Sequence, residues 1–95
     1  MITVPPSRHL QEFLKEANLN AAQLAAALQV PRNRVTRILN NTCAISLEMA
    51  LRLGYFFGQS AQFWLNLQAQ YDQALAANNG LTARVQAEVK PLLVH

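Results

Sequence analysis

Three arginines crowd one short run, Arg32-Asn33-Arg34-Val35-Thr36-Arg37, in a chain that has only eight basic residues among its 95. Between residues 17 and 47 there is no acidic side chain to neutralise them. A guanidinium presents a planar fork of N–H donors that fits a phosphate or the O6/N7 edge of guanine, and an asparagine amide fits the N6/N7 edge of adenine. Such residues one helical turn apart are equipped to read a groove of duplex DNA. At about 100° per residue, Val35, Ile38 and Leu39 share one side of this helix, while Arg32, Asn33, Arg34, Thr36 and Arg37 take the remaining arc. One face packs and the other is free to meet an anion. The plain alternative is an ordinary solvated face, but the arginines have no acidic i,i+4 partners among them, and the residues before them argue further.

Those residues read NAAQLAAALQVPRNRVTRILNN from Asn20 onward: one amphipathic stretch, a short break at Gln29-Val30-Pro31, and a second amphipathic stretch. The pattern resembles the helix-turn-helix of the phage-repressor (XRE/Cro-like) family. Leu24 and Leu28 stand where the first helix faces the core, Ala25 where its backbone presses closest to the second, and Val35 and Ile38 where the second helix packs. Two positions depart from that family. The turn residue, usually a glycine suited to positive φ, is Gln29. The usual polar cap before the second helix is Pro31, which is acceptable at a helix start because its missing N–H would be unbonded there anyway. Gln29 must therefore bear modest strain, or the turn must differ slightly.

Residues 44–73, AISLEMALRLGYFFGQSAQFWLNLQAQYDQ, resemble the segment that follows the helix-turn-helix in HigA-type antitoxins of bacterial toxin–antitoxin systems. The likeness lies in I-S-x-x-x-A-x-R-L, F-G-x-S-x-x-F-W-L-N-L-Q and the closing Y-D, and VPRNRVTRILN is similar to that family's recognition helix, proline included. It spans roughly residues 5 to 75. The resemblance implies an all-helical repressor-like domain that binds operator DNA as a homodimer and represses its own operon. It also implies neutralisation of a HigB-type toxin that cleaves mRNA on ribosomes. A stand-alone regulator of the same fold, with no toxin partner, is the competing expectation.

Within this frame the roles divide. The N-terminal end of a recognition helix points into the major groove, which makes Arg32 and Asn33 candidates for base edges, with Thr36 and Arg37 one turn later. Arg34, at the margin of the exposed arc, is a candidate for a phosphate. Asn20, Gln23, Asn40 and Asn41 resemble the family's backbone-contacting positions.

Other chemistry is poorly provided for. His9 and His95 are far apart and lack metal-ligand spacing, Cys43 has no histidine or acid near it in sequence, and no paired carboxylates, Ser/His/Asp set or glycine-rich phosphate loop occurs. An enzyme, a metal and a cofactor are not expected. One cysteine allows no intrachain disulfide, no apolar run approaches the ~20 residues that span a bilayer, and the N-terminus lacks a charged-then-apolar signal layout. A soluble cytoplasmic chain is expected, with no membrane contact. The net charge of +3 is modest, and its local concentration is what attracts phosphates.

The spacing predicts five helices, over residues 7–17, 21–28, 32–39, 47–57 and 61–77, as one domain covering residues 1–78 with the helix-turn-helix at about 20–41. Leu10, Phe13, Leu14 and Ala17 form the first stripe, and Ala50, Leu53, Gly54 and Phe57 the fourth. Asn20 with Gln23 forms a capping box, Ser46 and Ser60 cap the last two helices, and Asn40-Asn41 stops the third. Trp64, with Phe63, Leu67 and Tyr71, reads as core. In the tail, residues 79–95, the stretch 82–90 fits strand and helix equally. The tail's apolar end calls for cover by the core or a second subunit. A two-fold dimer would use helix five and the tail, through Phe63, Leu67, Tyr71, Val85, Val89, Leu92 and Leu93.

Overall fold

The computed structural model describes residues 4–92. The expectations for Leu93 and His95 lie outside them. Six helices follow one another: α1 (Pro6–Ala17), α2 (Ala21–Leu28), α3 (Arg32–Leu39), α4 (Leu47–Phe57), α5 (Ala61–Asn78) and α6 (Leu81–Glu88). No strand occurs among the described residues.

Each helix begins where its local chemistry allows. Pro6 occupies the first turn of α1, and the Asn20 and Gln23 side chains and backbones bond each other reciprocally at 2.9 and 2.8 Å at the start of α2. Ser46 Oγ accepts from the Met49 N–H and Ser60 Oγ from the Phe63 N–H. The ends share a device. Asn18, Gln29, Asn41 and Gly58 all adopt left-handed backbone, and the N–H of the next residue reaches back five positions to a carbonyl of the preceding helix. Leu19 and Val30, the residues after two of those turns, then pack on the core.

Helices α1 to α4 and the first half of α5 enclose that core, built from Leu10, Leu14, Leu24, Ala25, Leu28, Val35, Ile38, Ile45, Met49, Ala50, Leu53 and Trp64. Trp64 is 0% exposed. Its indole N–H donates to Gln59 Oε1 at 2.7 Å, and Phe13 and Phe63 stand 5.5 and 5.4 Å from it, centroid to centroid. Ala17 departs from the expected stripe and is exposed. As the last residue of α1, it lies where Asn18 turns the chain away.

The fifth helix runs on past the core, and the expected five-helix count gives way to six because the tail is helical over Leu81–Glu88. Gly80, at φ 85°, breaks α5, and Asn79 Oδ1 accepts the Leu81 N–H at 3.0 Å to start the new turn. The alternation of Val85, Ala87 and Val89 is compatible with a strand, but among the described residues no other strand is present for it to pair with, and helical bonding satisfies the backbone locally. The chain turns extended at Val89, two residues before Pro91, which cannot continue a helix. Among the described residues, packing for α6 comes chiefly from α5. Of the two covers expected for the tail, the chain's own core therefore supplies little. Leu75, Leu81, Val85, Val89 and Leu92 all stay exposed, Leu92 at 87%. The molecule is elongated, 52 × 26 × 21 Å.

Candidate nucleic-acid interface

The second and third helices form a helix–turn–helix pair. Leu24, Ala25 and Leu28 on α2 meet Val35 and Ile38 on α3, all buried, so the packed side of α3 is fully used. The opposite side carries the charge. Arg32, Asn33 and Arg37 are exposed, and among the described residues no hydrogen bond or ion pair holds their side chains. No side chain caps the first turn of α3, where Pro31 precedes Arg32. The Arg34 N–H donates to the Pro31 carbonyl at 3.1 Å, which leaves the amides of Arg32 and Asn33 to face an anion, in line with the positive end of the helix dipole.

The turn accommodates Gln29 through strain rather than through a different shape. Gln29 sits at φ 60° and ψ 45°, and its Nε2 donates to the Ala26 carbonyl at 3.2 Å. Among the left-handed positions described it alone is neither asparagine nor glycine.

The structure brings the remaining predicted residues to the same region with different degrees of freedom. Thr36 is half-buried and its hydroxyl donates back to the Arg32 carbonyl at 3.0 Å, which leaves its methyl and an oxygen lone pair for a base. Asn20 and Gln23 have spent their side-chain oxygens on the capping box, so each keeps an amide NH₂. Asn40 is exposed at the end of α3, whereas Asn41 Nδ2 donates to Tyr71 Oη on α5 at 2.9 Å. Arg34 is the most constrained. Its side chain is 34% exposed, and Nη2 lies 3.3 Å from Oε1 of Glu48 in the first turn of α4.

Periodicity within the basic window could not reveal the groups that hold this face in place. Glu48 also receives Arg52, through Nε at 3.1 Å and Nη2 at 3.0 Å on Oε2. The hydrogen bond from Arg34, followed by that from Arg52, holds the Glu48 carboxyl below the ordinary carboxylate range. Arg52 Nη1 in turn donates to the carbonyl of Leu28, the last residue of α2, at 2.8 Å. On the other flank, Gln68 Oε1 accepts the Ile45 N–H at 2.9 Å, so α5 ties down the loop after α3 twice, through Gln68 and Tyr71. Among the described residues no three His, Cys, Asp or Glu side chains gather as a metal site would require, and no helix is long and apolar enough to cross a membrane.

A helix pair of this form, with an acid-free basic outer face, defines a helix-turn-helix domain, and residues 10–64 match the helix-turn-helix family. The chain belongs to that family, in its XRE/Cro-like form. Along nearly its whole length it is similar to HigA-type antitoxins. It is 40% identical to the Pseudomonas aeruginosa antitoxin HigA, solved with the higBA promoter, with a TM-score of 0.87 over 97% of this chain and 100% of that one. It is 34% identical to antitoxin HigA-1 of Vibrio cholerae over 87% of this chain and 76% of the relative. An HTH-type transcriptional regulator of Haemophilus influenzae is 40% identical over 87% of this chain and 78% of the relative.

Proposed function

We infer that this chain is an antitoxin that binds operator DNA as a homodimer, represses its own operon and neutralises a HigB-type mRNA-cleaving toxin in the cytoplasm. The observation that carries the DNA half is the outer face of α3, where Arg32, Asn33 and Arg37 are exposed and unengaged on a helix-turn-helix scaffold. Arg32 and Asn33 at the start of α3, with Thr36 and Arg37 a turn later, read bases. Arg34, Asn20, Gln23, Asn40 and Asn41 hold phosphates on either side. The P. aeruginosa HigA, 40% identical and solved with a promoter, supports this reading. The toxin half rests on likeness to HigA-type antitoxins.

One recognition helix reaches a few base pairs, so operator specificity calls for two half-sites about 34 Å apart on one face of the DNA. The exposed apolar stripe of Leu75, Leu81, Val85 and Val89 on the projecting α5–α6 arm supports a second copy as the cover. The name of the H. influenzae relative favours a second reading, a stand-alone regulator.

The test is a mobility-shift titration on the duplex upstream of the chain's own gene, with wild type and Arg32→Ala. Loss of a bidentate guanine contact costs about 1–3 kcal/mol and relaxes one base position. Unchanged affinity and selectivity in Arg32→Ala would remove α3 as the reading helix. Co-purification with the product of an adjacent small basic reading frame separates antitoxin from stand-alone regulator.

A further inference from the structure

Arg34 and Glu48 form a contact that a purely structural account leaves unexplained. Both keep access to solvent, at 34% and 54% of their side-chain surface, so solvent screens the pair and its contribution to stability is small. The pair also places a carboxylate beside the basic face of α3, which has no acid of its own, and there it opposes phosphates. A negative charge at that place, with little gain in stability from it, points to a role in binding.

The connections of Glu48 define that role. Its carboxylate takes Arg34 Nη2 on one oxygen and Arg52 on the other. Arg52 reaches onward to the Leu28 carbonyl, at the point where α2 ends and the turn begins. A continuous chain of charge-assisted bonds therefore runs from the turn, across α4, to the margin of the recognition helix. Charge-assisted bonds to a planar guanidinium fix direction as well as distance. Arg34 has five N–H donors, and the contact with Glu48 uses one, leaving the rest for a second acceptor.

We propose that Glu48 is a positioning residue of the DNA interface: anchored by Arg52 on the end of α2, it holds the Arg34 guanidinium in the orientation that meets a DNA phosphate when α3 is seated in the groove. This rests on the reading of α3 as the recognition helix. Glu48 touches no DNA. It trades non-specific attraction, which it weakens by its charge, for a phosphate contact made only in the seated register. Its effect is on discrimination between operator and other DNA.

The experiment measures affinity for two probes, the duplex upstream of the chain's own gene and poly(dI-dC), over a range of salt. The proteins are wild type, Glu48→Ala, Glu48→Gln, Arg34→Ala and the double variant Arg34→Ala/Glu48→Ala, each with its thermal midpoint. Glu48→Ala is expected to bind the upstream duplex about tenfold more weakly and poly(dI-dC) equally or more tightly, because it gains one unit of net positive charge. Glu48→Gln, which keeps an acceptor, recovers part of the loss. Arg34→Ala flattens the salt slope on the upstream duplex by roughly one unit, and adding Glu48→Ala to it weakens binding to that duplex no further.

A fall by the same factor on both probes, or losses that add in the double variant, would overturn the proposal in favour of a structural role. Normal binding by Arg34→Ala would overturn it while leaving α3 as the reading helix. Failure of the wild-type chain to prefer the upstream duplex would instead remove the reading on which the proposal rests.

Discussion

Replacing Gln29 with glycine is expected to stabilise this domain, although it deletes a side chain at the centre of the helix–turn–helix. Gln29 stands at φ 60° and ψ 45°, a region that costs an L-residue about 1–2 kcal/mol and glycine almost nothing. The side chain offsets part of that by donating to the Ala26 carbonyl at 3.2 Å, an exposed bond worth about 0.5 kcal/mol. Glycine also gives the unfolded chain more freedom, which removes roughly another 0.5 kcal/mol. The balance is a gain of up to about 1 kcal/mol, equivalent to a rise of about 4–8 °C in the thermal midpoint for a domain of this size. Gln29→Ala is the control, since it loses the bond, keeps the strain and is expected to melt slightly below wild type. Thermal unfolding by far-ultraviolet circular dichroism measures both. A Gln29→Gly midpoint at or below that of Gln29→Ala would refute the assignment of strain to this residue.

Three further outcomes are expected. Trp64→Ala removes a fully buried indole bonded to Gln59 and should cost about 3–5 kcal/mol, much of the total stability of a small domain, seen as a collapsed or absent cooperative transition. Gly54→Ala should cost about 1–3 kcal/mol in urea unfolding, because a Cβ there would lie 2.7 Å from the Gln59 carbonyl oxygen and 3.1 Å from the Ala61 nitrogen, both backbone atoms. Near-neutral behaviour would mean that the α4–α5 turn can shift. If the proposed dimer forms, deleting residues 81–95 should weaken it by light scattering at micromolar concentration with helical content largely kept, and a truncated chain that still runs as a dimer would leave α5 as the contact.

The helix–turn–helix was legible because its signals are local. Asn20 with Gln23, Pro31 before Arg32, and Asn41 after Leu39 each mark a boundary through their own backbone chemistry, and α2 and α3 begin and end where those residues place them. The departure at Gln29 was readable as either modest strain or a slightly different turn, and the left-handed backbone at that residue decides for strain. The contacts that set the interface were not legible, for they join residues far apart in sequence. Arg34 meets Glu48 across 14 positions, Arg52 meets the Leu28 carbonyl across 24, and Asn41 meets Tyr71 across 30. Periodicity places each of these on a face but cannot say which faces meet. The tail stayed open between helix and strand for another reason: Val85, Ala87 and Val89 alternate as a strand would, but a strand needs a partner. Ala17 shows the limit of a stripe, since position on a helix face buries a side chain only as far as the neighbouring helix extends.

Helix α5 holds Trp64 in the core near one end, fastens the loop after α3 through Gln68 and Tyr71 in its middle, and carries α6 at its far end. Its 18 residues form one rod, about 27 Å long at 1.5 Å per residue. Such a rod is a lever. A tilt of about 5° at the core moves its far end by roughly 2 Å, more than half of the ~3.4 Å step between base pairs. In the proposed dimer the lever works in reverse, and the angle at which two arms cross dictates the separation of two reading heads. Substitutions along Leu81, Val85 and Val89 would then retune which half-site spacing fits, with no change to any residue that faces DNA.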